Sequence, residues 1–249
     1  MTPPPRTVRR ATCTHCLRPH TACICHWITP TAHAVQVVIL QHPLELQDAK
    51  GSARLLHLSL PQSRLVVGEV FDPQVLHDLL TAPWHTGDTP QGPRQAVLLY
   101  PQTPDGPGPG GAAAPVALPQ LPIDPAQLRL IVLDGTWRKS RKMLALNPLL
   151  QHLPRLPLRD MPPSRYLIRR AHRPDQLSTL EAVCAALGHL EASPARFHPL
   201  LEAFDGFVAQ QGDYARGPGR TRNALTQPGT QEGVDGLALS RPVDLQYRK

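Results

Sequence analysis

The most constraining feature of this 249-residue chain is an uninterrupted apolar run, Leu130-Ile131-Val132-Leu133, that closes in Asp134-Gly135 and passes straight into a basic helical segment. Apolar residues without polar alternation belong to the interior of a parallel sheet covered on both faces. Thr136 is a suitable helix N-cap, Trp137, Met143 and Leu144 can share one side of the following helix, and Asn147-Pro148 stops it. Arg138, Lys139, Arg141 and Lys142 must then occupy much of the remaining surface. An acid therefore stands at the carboxyl end of a buried strand beside four cations. In open α/β sheets that edge is where ligands bind, because its loops vary while the sheet holds them still. Asp134-Gly135 also suits a plain tight turn, so position alone leaves both readings open.

The apolar run at 34–40 predicts a second strand, and His42 and Glu45 of the following Gln41-His42-Pro43-Leu44-Glu45 turn fall just past its carboxyl end. Glu45 could open a helix that continues through residues 54–56. Further runs at 64–67 and 95–100, the latter ending in Tyr100-Pro101, bring the count to at least four strands, with an amphipathic helix at 75–80 between them. Strands alternating with helices predict an α/β fold with a parallel sheet. No Gly-rich dinucleotide fingerprint or phosphate loop follows any of these strands, which argues against an ordinary nucleotide-binding Rossmann domain. Downstream, Ser178 with Glu181 forms a capping box for a helix reaching Leu187, and a last helix at 199–208 closes the body. The backbone donors of that cap also suit an anionic group.

Near the start, Cys13-Thr14-His15-Cys16 and Cys23-Ile24-Cys25-His26 hold four of the five cysteines. Two close pairs on short loops are what a tetrahedral thiolate site for structural zinc requires, and Cys13, Cys16, Cys23 and Cys25 are the predicted ligands; His15, His20 and His26 are alternatives for one position. Cys184 lies in an Ala-rich helical stretch and reads as a small core residue. Residues 1–30 thus form a cysteine-rich segment, 31–211 an α/β body, and 212–249 a disordered basic tail in which Arg216, Arg220 and Arg222 suit RNA. Pro and Gly concentrate at 102–125, which reads as a flexible insertion. A formal charge of +7 favours an anionic partner such as nucleic acid. The first ten residues carry no apolar core, and no apolar run approaches the ~18 residues that span a membrane, which predicts a cytoplasmic protein.

Leu133-Asp134-Gly135-Thr136-Trp137 with Lys142-Met143, the His42-Pro43-Leu44-Glu45 turn, Tyr100-Pro101 and Leu177-Ser178-Thr179-Leu180-Glu181-Ala182 together resemble the DTW-domain family of tRNA-uridine aminocarboxypropyltransferases. The resemblance covers roughly residues 10–210. It implies a SPOUT-like parallel sheet whose C-terminal part forms a trefoil knot and binds S-adenosylmethionine, an exception to the usual unknotted topologies. It also implies a reaction: transfer of the 3-amino-3-carboxypropyl group to N3 of a tRNA uridine, with methylthioadenosine released. On that basis Asp134, Thr136 and Trp137 are the expected catalytic residues. Tyr100, Pro101, Leu133, Asp134, Gly135, Ser178, Thr179 and Glu181 are expected around S-adenosylmethionine. His42, Glu45, Arg138, Lys139, Arg141, Lys142, Arg165, Tyr166, Arg169 and Arg170 are expected on the tRNA side. Two other readings stand beside it: a methyl transfer to RNA on a similar fold, which keeps the same cofactor, and a zinc-stabilised RNA-binding protein without catalysis, which charge and cysteines alone support.

Overall fold

The computed structural model describes residues 11–46, 48, 51–84, 94–101, 124–158 and 177–216, with side chains to residue 212. Five strands, β1 (Gln36–Gln41), β2 (Ser63–Val67), β3 (Gln95–Leu99), β4 (Leu128–Asp134) and β5 (Arg155–Leu156), form one sheet in the order β2-β1-β4-β3-β5, and every neighbouring pair is parallel. β1 and β4 are buried along their whole length, as their unbroken apolar runs require. Six helices accompany the strands: α1 (Ala53–Ser59), α2 (Pro73–Thr81), α3 (Trp137–Leu146), α4 (Pro148–Gln151), α5 (Thr179–Leu190) and α6 (His198–Arg216).

Alternate residues of the central strands feed two separate cores, because successive side chains of a strand point to opposite faces. Val37, Ile39, Leu130 and Val132 pack with Leu55 and Leu56 of α1, Leu180 and Leu187 of α5, and Phe204 and Phe207 of α6. Val38, Leu40, Ile131 and Leu133 pack with Leu76 and Leu80 of α2, Met143 of α3 and Leu150 of α4. Each fully buried leucine or isoleucine contributes about 1.5–3 kcal/mol relative to an exposed one, so both faces are needed to hold so small a sheet.

The chain leaves β1 toward β2 on one side, whereas it leaves β4 toward β5 on the other. The connections therefore part between β1 and β4, and the carboxyl ends of those strands, Gln41 and Asp134, are direct register partners. This is the topological switch point at which open parallel sheets bind ligands. At the opposite end of the same strand pair, Gln36 and Arg129 are also register partners. Arg129 is fully buried: its Nε and Nη2 donate to Gln36 Oε1 (3.0 and 2.7 Å), and Nη1 and Nη2 donate to the carbonyls of Leu79 and Ala82 (both 2.8 Å). Its guanidinium also lies 5.0 Å from the centre of the Trp84 ring.

Several expectations need correction. Glu45 belongs to a separate 3-10 turn, Pro43–Glu45, and α1 begins only at Ala53. Trp137 does not share the buried side of α3 with Met143: it is 52% exposed, because at the first helical position its ring reaches back over the end of β3. β5 is only two residues long, too short for any periodicity to reveal. α6 continues past residue 208 to Arg216. The chain divides into a unit Met1–Ala215 and a unit Arg216–Lys249, and of the second only Arg216 is described. No helix among the described residues is long and apolar enough to cross a membrane.

Candidate active site and metal centre

At the switch point the Asp134 carboxylate is 6% exposed and is held on both oxygens: Thr179 Oγ1 donates to Oδ1 (2.6 Å) and Gln41 Nε2 donates to Oδ2 (2.9 Å). Thr179 is the first residue of α5, so this helix start is tied directly to the end of β4. The turn that follows is tight. A Cβ on Gly135 would lie 3.2 Å from Lys139 Cβ, tighter than ordinary contact, so glycine lets the turn sit close against the first turn of α3, while the 3.6 Å to His42 Cβ is ordinary contact.

Thr136 caps α3 by accepting from Lys139 N at 3.5 Å, and Trp137 then stacks on Tyr100 with ring centres 5.2 Å apart and planes 11° from parallel. Tyr100 is buried, and the Arg155 guanidinium lies 5.3 Å from its ring centre while Nη1 donates to Pro101 O (3.3 Å). Burial pushes the Tyr100 phenol up, against the opposing charges of Arg155 and Arg141. The result is an exposed indole with a rigid aromatic and cationic backing at the end of β3, adjacent in sequence to the switch-point acid.

The other predicted residues separate into two groups. The His42 amide donates to Asp134 O (2.9 Å), continuing the β1–β4 ladder past its last register pair. The His42 ring accepts from Leu44 N at Nδ1 (3.1 Å), which requires the proton to sit on Nε2, and Nε2 faces Glu69 Oε1 at 2.9 Å. Glu69 also accepts from Lys142 Nζ (2.9 Å), and Lys142 first and His42 second hold its carboxyl below the ordinary range. Lys139 Nζ donates to the buried Glu45 carboxylate (2.8 Å). Two cations of α3 thus bind carboxylates beyond the ends of β1 and β2, whereas Arg138 and Arg141 are exposed and have no ionic partner among the described residues. Ser178 and Glu181 satisfy each other: Glu181 N donates to Ser178 Oγ (3.2 Å) and Ser178 N to Glu181 Oε2 (2.7 Å). Leu180 N donates to Ser52 Oγ (3.4 Å), so this cap spends three of its donors internally. Arg165, Tyr166, Arg169 and Arg170, together with the insertion at 102–123, Arg220 and Arg222, lie outside the described residues.

Gln41, Glu69 and Arg155 escaped sequence reasoning. Gln41 carried one usable signal, a polar residue closing an apolar strand. Glu69 and Arg155 carried none, since each gains meaning only from a strand that is distant in the chain.

The four sulfurs of Cys13, Cys16, Cys23 and Cys25 all lie within 4.8 Å of one another, with Cys13 to Cys25 at 3.6 Å and Cys16 to Cys23 at 3.7 Å. Four sulfurs ~2.3 Å from one zinc stand ~3.8 Å apart at the corners of a tetrahedron, so the spacing fits the ion. The chain doubles back after Cys16 through Leu17, whose φ of 59° is left-handed, and the amide of Cys13 reaches Arg18 O (2.8 Å). Amides of Cys16 and His15, followed by the Cys25 thiol, lower the Cys13 thiol to about 6, whereas burial and the other cysteines push Cys25 up to about 12. The cluster rests on α6: Trp27 Nε1 donates to Gln210 Oε1 (2.6 Å), and the indole lies where any side chain on Gly206 would stand. Cys184 is buried in the α5 core, where burial pushes its thiol up to about 12.

The fold and this arrangement define an α/β protein with a strand-end carboxylate site and a closed four-thiol cluster. The sequence profile described as the DTW domain matches residues 10–212, and the chain belongs to that family. It is 32% identical over 237 residues to a Drosophila melanogaster protein named tRNA-uridine aminocarboxypropyltransferase 2, covering 94% of this chain and 88% of that one. A Macaca fascicularis protein of the same name is 28% identical over 84% of this chain and 67% of its own length. An Arabidopsis thaliana tRNA-uridine aminocarboxypropyltransferase A is 28% identical over 55% of this chain and 51% of its own. No solved structure matches the chain.

Proposed function

We propose that this protein transfers the 3-amino-3-carboxypropyl group of S-adenosylmethionine to N3 of a tRNA uridine. The observation that carries the reading is the Asp134 carboxylate at the switch point, gripped by Gln41 and Thr179, in a chain whose relatives bear that activity as their name. The uracil N3 attacks the carbon that joins the amino-acid chain to sulfur. The C–S bond breaks with its electron pair passing to sulfur, methylthioadenosine leaves, and the N3 proton passes to Asp134 and on to solvent. Uracil N3–H is a far weaker acid than a carboxylic acid, so the main task of Asp134 is to orient the N3–H, its proton leaving only as the new bond forms. Selecting that carbon over the methyl group is a matter of positioning.

The outer face of Trp137, backed by Tyr100, suits the splayed uracil, because single-stranded bases are held by stacking on aromatic side chains. Backbone around Tyr100-Pro101, Leu133-Asp134-Gly135 and Ser178-Thr179 surrounds the donor, since these segments converge on one sheet edge. Arg138 and Arg141 meet tRNA phosphates. Cys13, Cys16, Cys23 and Cys25 hold a structural zinc, as the sulfur spacing supports and as a site filled by four protein ligands requires. The SPOUT-like knot rests on the family resemblance alone. Residues 1–30, 31–211 and 212–249 serve as zinc segment, catalytic body and basic tail, and a tRNA substrate agrees with a cytoplasmic location.

Mass spectrometry of nucleosides from unmodified tRNA incubated with the protein and S-adenosylmethionine tests this reading. We expect 3-(3-amino-3-carboxypropyl)uridine and an equal amount of methylthioadenosine. A methylated nucleoside with S-adenosylhomocysteine, or no modified nucleoside, would overturn it.

A further inference from the structure

We propose that Glu69 is a positioning residue that holds the His42 imidazole in its Nε2–H form and so fixes the Pro43–Glu45 turn against the Asp134 strand end. Glu69 lies two residues past β2, and its loop is fastened from both sides by the buried Asn147, whose Nδ2 donates to Glu69 O (2.9 Å) and whose Oδ1 accepts from Phe71 N (2.9 Å). Asn147 Nδ2 also donates to Met143 O (2.6 Å), which ties the loop to the last turn of α3. Gly68 N donates to Gln41 O (3.0 Å), so the ends of β2, β1 and β4 form one continuous ladder through Gly68, Gln41, His42 and Asp134.

Within that frame the carboxylate is aimed. Its Oε1 takes the Nε2 proton of an imidazole whose side chain is 8% exposed, and its own side chain is 28% exposed. Two contacts hold this form, the Leu44 amide at Nδ1 and Glu69 at Nε2; without the acceptor at Nε2 only the Leu44 bond favours it, and a ring with its proton on Nδ1 would face that amide donor to donor. The turn would open, and with it the placement of the buried Glu45 that holds Lys139 at the start of α3. Glu69 thereby acts on the reaction through His42 and the turn, and touches neither substrate.

The kinetic part of the test rests on the aminocarboxypropyl-transfer reading; the spectroscopic part does not. Imidazole nitrogens are recorded by NMR on full-length protein with labelled histidine, His42 being assigned by its loss in His42→Gln, and tRNA modification is assayed in parallel. The native protein should show the Nε2–H form alone. Glu69→Gln, whose amide oxygen still accepts, should keep that form and nearly the native rate. Glu69→Ala should populate both forms and lower kcat about tenfold, with KM for tRNA unchanged. The double variant Glu69→Ala/His42→Ala should be no slower than His42→Ala. Glu69→Met, which keeps the stem and removes the acceptor, serves if the alanine variant is too unstable to assay. An unchanged tautomer in Glu69→Ala, a Glu69→Gln as slow as Glu69→Ala, or multiplicative losses in the double variant would each overturn the proposal. If the native protein transfers nothing to tRNA, the functional reading fails while the imidazole spectrum still decides the role of Glu69.

Discussion

The two ends of β4 are built alike and used differently. At the amino end Arg129 faces Gln36 of β1, and at the carboxyl end Asp134 faces Gln41, each pair in register across the same strand boundary. Arg129 is closed in: its donors end on a glutamine oxygen and on two carbonyls at the end of α2, and an indole covers its face. Asp134 is held by Gln41 and Thr179 but stands beside an exposed tryptophan and two exposed arginines that have no ionic partner among the described residues. A buried charge whose bonds all lie inside the protein can only hold structure. The same burial at a switch point, where the strand-end loops of a parallel sheet meet, can hold substrate. Stability should therefore reside at one end of this strand and chemistry at the other.

Chelation gives the scale against which both ends are read. Removing zinc with a strong chelator, or Cys16→Ser, should cause the largest loss of stability, since structural zinc contributes on the order of 10 kcal/mol to folds that depend on it. Metal analysis and thermal melting check this, and full zinc stoichiometry in Cys16→Ser would contradict the four-thiol site.

At the amino end, Arg129→Ala strands Gln36 and two carbonyls. It should cost at least ~3 kcal/mol, or about 6–12 °C in Tm, while the fraction that remains folded at low temperature turns over normally. Asp134→Asn should do the reverse. Gln41 can turn its amide to present oxygen to the new amide, so melting should barely change, yet transfer should fall ~10²–10⁴-fold. A large Tm loss in Asp134→Asn, or a lost rate in Arg129→Ala at full folding, would break the contrast.

Acid should reveal the carboxyl-end network next. The folded Glu69 carboxyl titrates below its unfolded value of 4.5, so its contribution is present above that pH and fades as pH falls through the lower folded value. Glu69→Gln should flatten that limb of the pH–stability curve. The smallest effects separate the cations of α3. Arg138→Gln and Arg141→Gln should each lower the slope of log affinity for tRNA against log salt by up to ~0.9, whereas Lys139→Gln and Lys142→Gln should leave the slope alone, Lys142→Gln costing under ~1 kcal/mol of stability and Lys139→Gln more, since it takes the cation from the buried Glu45.

Reading the chain without its structure recovered the buried β1 and β4, the capped helices α3 and α5, and the four-thiol cluster. All of these are local signals: apolar runs, cap residues three apart, and cysteine pairs on short loops. It also brought His42 and Asp134 to one sheet edge, because parallel strands put all their carboxyl ends on the same side. It treated the four cations of α3 as equivalent, and tertiary contacts divide them into two that brace the helix and two that face outward.

Sequence alone determined the long strands, the capped helices and the thiol cluster, since strand and helix periods, caps and thiol spacing are written within a few residues of one another. Only the folded chain decided partners. That Gln41 grips Asp134, that Glu69 orients His42, that Arg129 ends in the carbonyls of α2, and that Trp137 leaves its own helix face for Tyr100 all depend on strand order and register. Those follow from how two apolar faces of one sheet are covered at once, a property of the whole chain that no short stretch of it contains.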